Sequence, residues 1–293
     1  MSSSPHGTWP SPLTPQLVVA GARGVSELQV DGEDLCWLEL RPDEGGRSVV
    51  VRRRPDGAVE DASPPGSNVR TRVHEYGGGS YLSAGGTIYY SELTDQRVYR
   101  LDPGSGQSVP ITPEPARPSG LRYAAFRLTA DGRYLVCVRE SHLGDSATEV
   151  VNEVVAVPTD GGAEPVVLAS GRDFYASPVL SPDGRHLAYV TWDHPNMPWD
   201  ETEVVVAELD GLAITGARTA AGGAGTGESV MAPAFAPDGT LHLLSDRTGW
   251  WYLYRADADG RLTNLAEVAV ELGQPAWWLG WWTSRPVHFG VFP

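Results

Sequence analysis

The sequence predicts an all-β chain, a β-propeller of about five four-stranded blades plus the start of a sixth, and so an incomplete ring. Three observations carry this. Tight-turn dipeptides recur at Asp31-Gly32, Gly85-Gly86, Asp131-Gly132, Asp183-Gly184 and Asp238-Gly239, with spacings of 54, 46, 52 and 55 residues. A period of roughly 40–50 residues carrying about four short strands marks a propeller blade. Apolar, strand-like runs flank the turns, and no segment sustains the i, i+3, i+4 apolar pattern of an amphipathic helix.

Residues 1–24 form an N-terminal extension. Its opening, MSSSPHGTWPSPLTPQ, lacks the apolar core of a signal peptide. The propeller is expected over 25–282. Blade one, roughly 25–72, holds the Asp31-Gly32 turn and the apolar run Leu35 to Leu40. Blade two, 73–122, turns at Gly85-Gly86. Blade three, 123–170, places Ala125 to Leu128 before Asp131 and a strand from Tyr134 to Arg139 after it. Blade four, 171–228, repeats that register with Ser177 to Leu180, Asp183, and a strand from His186 to Trp192. Blade five, 229–272, does so with Ala232 to Phe235, Asp238, and Leu241 to Ser245. In each turn glycine supplies the positive φ a tight hairpin needs, and aspartate tolerates or caps it. Valine runs such as Val204 to Val206 suit strands buried on both faces. Gly216 to Gly227, rich in Gly and Ala, reads as a flexible loop inside blade four. Gln274 to Trp277 restarts the register, so 273–282 reads as a partial sixth blade. Its Asp-Gly, due at Gly280-Trp281, does not appear, and 283–293 reads as an irregular tail.

Composition narrows the function. Net charge is -15 with pI ≈ 4.8, which argues against a nucleic-acid partner, since phosphate binding needs a basic footprint. All 22 basic residues are arginine. Without lysine there is no Walker phosphate loop and no Schiff-base chemistry. Cys36 and Cys137 each sit in an apolar run with no metal or CxxC spacing, so both read as small buried hydrophobes. No stretch approaches about 18 consecutive apolar residues, and no membrane span is expected. The expected location is the cytoplasm, and no cofactor is expected.

The strings Arg72-Val73-His74-Glu75-Tyr76-Gly77-Gly78-Gly79, Asp173 to Asp200, and Ser245-Asp246-Arg247-Thr248-Gly249-Trp250-Trp251 carry a resemblance. In that order they are similar to the N-terminal propeller of prolyl oligopeptidase-family serine peptidases, nearest to the dipeptidyl-aminopeptidase/acylaminoacyl-peptidase branch. The resemblance covers about residues 10–282. It implies a propeller that caps an α/β-hydrolase domain with a Ser-Asp-His triad and admits only short or unfolded peptides. No serine lies in a G-x-S-x-G elbow, and no βαβ alternation is present to carry a hydrolase sheet. The chain is therefore expected to lack the catalytic domain, through truncation or a frameshift, and to be inactive alone. Its expected partners are the missing or separately encoded α/β-hydrolase domain and short peptides. Two other readings stay open: a stand-alone propeller scaffold that binds protein or peptide, and a lactonase-like propeller enzyme with a channel metal.

Four residues are candidate substrate contacts. His74 and Glu75 precede three glycines; Glu75 could bind a peptide amine, with the glycines allowing close backbone approach. The alternative is a blade-linking turn with a buried, hydrogen-bonded histidine. Asp246 and Arg247 read either as a structural pair or turn contact or as substrate contacts. Asp193, His194, Asp200 and Glu201 could suggest a cation site, but Pro195 and Pro198 stiffen that loop, while Trp192 and Trp199 look like packing anchors.

Overall fold

The described strands form five four-stranded antiparallel meanders, one after another along the chain. The computed structural model describes residues 5, 7–9, 11–146, 148–266 and 268–280; the expected tail, together with Trp281 and Trp282, lies outside the described residues. A one-turn helix, α1 (Pro15–Val19), capped by Thr14, precedes the first meander. Blade one comprises β1 (Gly24–Asp31), β2 (Asp34–Arg41), β3 (Arg47–Arg53) and β4 (Val59–Asp61). Blade two comprises β5 (Tyr81–Ala84), β6 (Thr87–Ser91), β7 (Val98–Leu101) and β8 (Ser108–Pro110). Blade three holds β9 (Leu121–Leu128), β10 (Tyr134–His142), β11 (Val150–Pro158) and β12 (Val166–Ala169). Blade four holds β13 (Phe174–Leu180), β14 (His186–Trp192), β15 (Glu203–Asp210) and β16 (Ala213–Gly222), and blade five β17 (Val230–Phe235), β18 (Leu241–Ser245), β19 (Tyr252–Ala256) and β20 (Leu262–Asn264). The propeller of five four-stranded blades is the architecture the turn spacing predicted.

Each repeated dipeptide sits in the hairpin between the first and second strands of its blade, so all five turns lie at one end of the propeller. The aspartates work as turn caps. Asp131 Oδ1 accepts from Thr129 Oγ1 and the Arg133 N–H, and Asp183 Oδ1 accepts from Ser181 Oγ and the Arg185 N–H. These bonds favour the ionised form and hold the Asp131 carboxyl down at about 2.

The first strands ring the channel: β1 packs on β5, β5 on β9, β9 on β13, and β13 on β17. Four carry a bulge with one residue in the left-handed region, namely Glu27, Ala125, Ser177 and Ala232. In blade two Gly79, at φ 62, precedes β5 in the corresponding place. A bulge sets two residues against one and sharpens the strand's twist. This shared bend is why Ser177-Pro178 and Ala232-Pro233 look alike in sequence. The core lies between blades. Its largest cluster runs through blades three to five and includes Val136, Val154, Leu187, Val204 and Leu243, all essentially inaccessible.

Blades one and two are joined differently, by a ladder of alternate side chains from β1. Glu27 accepts from the Ser80 N–H, Gln29 exchanges bonds with Tyr81 O and the Ser83 N–H, and Asp31 accepts from the Gly85 and Gly86 N–H groups. Burial pushes the Glu27 carboxyl up to about 7 against the pull of its backbone donors. The opposite face of β1 is uncovered. Val25 is 64% exposed, and Leu28 and Val30 are exposed beside it. No packing like that between the other first strands joins β17 to β1, and the ring of described residues is open there.

One expectation is corrected. Gly216 to Gly222 belong to β16, paired along β15, and only the residues that follow form a turn. An outermost strand needs one backbone ladder and little side-chain packing, so small residues suffice there. Among the described residues no helix is long and apolar enough to cross a membrane.

Candidate functional site

A cavity of about 220 Å³ opens between blades four and five, bounded also by the link from blade one to blade two and by residues 276–280. Its lining is aromatic and apolar. β13 contributes Phe174, β14 contributes Trp192, and the loop after β14 contributes His194, Met197 and Trp199. That loop is fixed by its own polar groups. Asp193 accepts from the Asp173 N–H and from Arg172 Nε, while Asp173 accepts from the His194 N–H. Asp200 accepts from the Met197 N–H, and Ser229 Oγ donates to Pro198 O. The His194–Pro195 peptide is cis. Phe174 stacks on Trp192 with ring centroids 5.1 Å apart, and His74 meets both rings edge-on at 5.3 and 5.6 Å.

His74 is thus brought into the cavity wall. It sits in the link between blades, at φ 53, with its N–H donated to Glu140 Oε1. Its ring Nε2 is enclosed, and among the described residues no hydrogen bond reaches that atom. Burial pushes the imidazole pKa down, against the opposing charge of Glu140 and the Asn152 side chain, and so favours the neutral ring. The blade-linking alternative describes its backbone.

Glu75 is turned elsewhere. Its carboxylate accepts from Arg122 Nη1 at 2.7 Å and from Arg72 Nη2 at 3.0 Å, and Arg122 chiefly holds it below the usual carboxylate range. Arg122 also donates to Arg72 O and lies 3.7 Å from the buried Glu140. With two guanidiniums at hand, this carboxylate is already compensated. Asp246 Oδ1 accepts from the Ser229 N–H, and Arg247 grips Glu228 through Nε and Nη2 while its guanidinium lies over the Tyr254 ring. Neither lines the cavity. Of the four candidates only His74 does.

The three glycines after Tyr76 each meet backbone. A Cβ on Gly77 would fall 2.3 Å from Thr71 O, one on Gly79 2.9 Å from Ala125 N, and one on Gly78 2.0 Å from Leu279 O. Residues 273–280, expected to open a sixth blade, contain no strand. They run instead to Gly78, where Leu279 forms a parallel bridge and donates its N–H to Gly77 O at 2.8 Å.

Asp193, His194, Asp200 and Glu201 are spread through separate contacts, and among the described residues no three metal-ligating side chains gather. Sequence reasoning missed Phe174 and Met197 as site residues. It took Trp192 and Trp199 as packing alone, although the dense aromatic content of that loop was the available signal.

No protein-family model matches the chain, and no curated protein does. Solved structures do. A puromycin-hydrolyzing peptidase from Mycobacterium tuberculosis is 39% identical with a TM-score of 0.85, over 96% of this chain and 44% of that one. A puromycin hydrolase is 36% identical with a TM-score of 0.86 over the same shares. A prolyl endopeptidase, at 15% identity and TM-score 0.55, covers 85% of this chain and 36% of its own, and shares the fold. The chain thus spans less than half the length of the puromycin-hydrolysing enzymes it matches.

Proposed function

The chain belongs to the prolyl oligopeptidase family as its propeller part, and from that premise we propose that it gates substrate access to a serine-peptidase active site. The observation that carries the proposal is 39% identity across 96% of this chain, confined to 44% of a puromycin-hydrolyzing peptidase. The chemistry of such an enzyme is acyl transfer by a serine nucleophile, a histidine base and an oxyanion hole. No G-x-S-x-G occurs in these 293 residues, so an α/β-hydrolase unit outside them would supply those groups. The propeller's share is selection. A 220 Å³ aromatic cavity beside a ring of strands suits a side chain or a short peptide and is far too small for a folded domain. This supports short peptides as substrates, and with them the dipeptidyl-aminopeptidase/acylaminoacyl-peptidase branch. Cys36 and Cys137 are free and buried, which supports a reducing compartment such as the cytoplasm as the setting of the proposed function.

The purified chain is incubated with an aminoacyl-chromophore substrate, with and without a serine-directed inhibitor. No inhibitor-sensitive release is expected. Release that the inhibitor blocks would refute the assignment of catalysis to another unit.

A further inference from the structure

Of the three glycines, Gly77 and Gly79 are bare for the sake of their own fold: their missing Cβ atoms would strike Thr71 and Ala125. Gly78 is different. The atom its Cβ would strike, at 2.0 Å, is the carbonyl oxygen of Leu279, a residue far away in the chain. Gly78 thus leaves room for a second backbone, and one is there. Leu279 pairs with it in parallel, donates its N–H to Gly77 O at 2.8 Å, and is only 5% exposed. Two positions earlier, Trp277 lies 4.6 Å from the Trp199 ring and 5.8 Å from Tyr76, centroid to centroid. One backbone rung with an aromatic anchor alongside is how an extended peptide docks on a strand edge: main-chain bonds give affinity and alternate side chains give selectivity. The cavity continues beside this segment to Phe174, Trp192 and His74, so the segment does not fill the space it borders.

We propose that Gly77–Gly78 is a docking strip for the backbone of an extended peptide bearing apolar aromatic side chains, and that residues 276–280 occupy it in place of that ligand. The inference deepens the gating proposal and rests on it, since peptides must reach the channel to use the strip. A tethered segment competes at an effective concentration that a free peptide reaches only in the millimolar range, so the strip binds in trans weakly unless the tether is disarmed. Leu279→Pro disarms it by removing the N–H that bonds Gly77 O.

The probe is the end-blocked, fluorescein-labelled peptide Gln-Pro-Ala-Trp-Trp-Leu-Gly, titrated by anisotropy against the full chain. Leu279→Pro is expected to bind it at least tenfold more tightly than the unaltered chain. Adding Gly78→Ala is expected to reverse that gain tenfold or more, with a far-ultraviolet spectrum confirming that both variants are folded. As a second measurement without substitutions, saturating peptide is expected to accelerate hydrogen exchange in 276–280 of the unaltered chain. Equal affinity in the unaltered and Leu279→Pro chains, binding that Gly78→Ala leaves unchanged, or exchange in 276–280 that the peptide does not alter would each overturn the proposal. None of these readings involves catalysis or substrate size, so the strip can fail while the gate stands, and the reverse.

Discussion

Replacing Gly78 by alanine isolates the contact on which the site's shape depends. Two costs are built into the change. At φ 91 an L-residue is strained, by about 1–2 kcal/mol. The new Cβ also lands 2.0 Å from Leu279 O, and because that atom is backbone, the 276–280 segment must leave. Its departure forfeits the Leu279 hydrogen bond, about 1 kcal/mol, the burial of Leu279, about 2 kcal/mol, and the Trp277 ring contacts, about 1 kcal/mol. Freed backbone recovers about 1–2 kcal/mol per residue, so with the release confined to the two residues at the rung, Leu279 and Gly280, about 2–3 kcal/mol of that sum of about 4 is returned. The net loss beyond strain is thus on the order of 1–2 kcal/mol. Gly85→Ala is the control, because Gly85 has φ 61 and open space where its Cβ would go, so it feels strain alone. Urea unfolding of both variants, with hydrogen exchange read over 276–280, gives the comparison. Gly78→Ala is expected to lose about 1–2 kcal/mol more than Gly85→Ala and to lose protection in that segment. Equal losses with protection intact would refute the reasoning.

Two further outcomes follow from buried charge. Glu27 has its carboxyl raised from 4.5 to about 7 in the folded chain, so the folded state holds a proton that the unfolded state has released across that window. This carboxyl's contribution to stability is then full below 4.5 and is lost as pH rises through about 7; in urea midpoints measured across pH, Glu27→Gln is expected to remove this part of the pH dependence and to exceed the unaltered chain at pH 8. Arg122 and Glu140 have side chains only 8% and 5% exposed, and removing one member of a buried pair leaves the other's charge uncompensated, at about 3 kcal/mol. Thermal melting is expected to show Arg122→Met strongly destabilised and the double variant with Glu140→Gln at least half restored.

Local chemistry was legible in the sequence wherever a residue's neighbours in the chain decide its state. The Asp-Gly hairpins, the Ser177 and Ala232 bulge registers, and strands His186–Trp192 and Leu241–Ser245 all depend on turn residues and apolar runs a few positions apart. Gly216 to Gly222 were misread because edge pairing with β15, rather than side-chain character, makes them a strand. At the site, the glycine run after Tyr76 signalled close backbone approach, but not that Thr71, Leu279 and Ala125 are what approach. Glu75 looked free because Arg122, which neutralises it, lies in the next blade. Asp246 and Arg247 looked like a pair, yet each bonds to the segment before β17 rather than to the other. Long-range partners of this kind leave no local periodicity to read.

The gating claim is tested most directly by transplantation. The matched part of a puromycin-hydrolyzing peptidase, 44% of its length, is replaced by this chain, and cleavage of an aminoacyl chromophore is compared with cleavage of a long unfolded polypeptide and of a folded protein. A working gate passes the chromophore at a rate near the parent enzyme's and leaves the folded protein intact. A chimera that digests the folded protein as readily as it cleaves the chromophore would contradict the account.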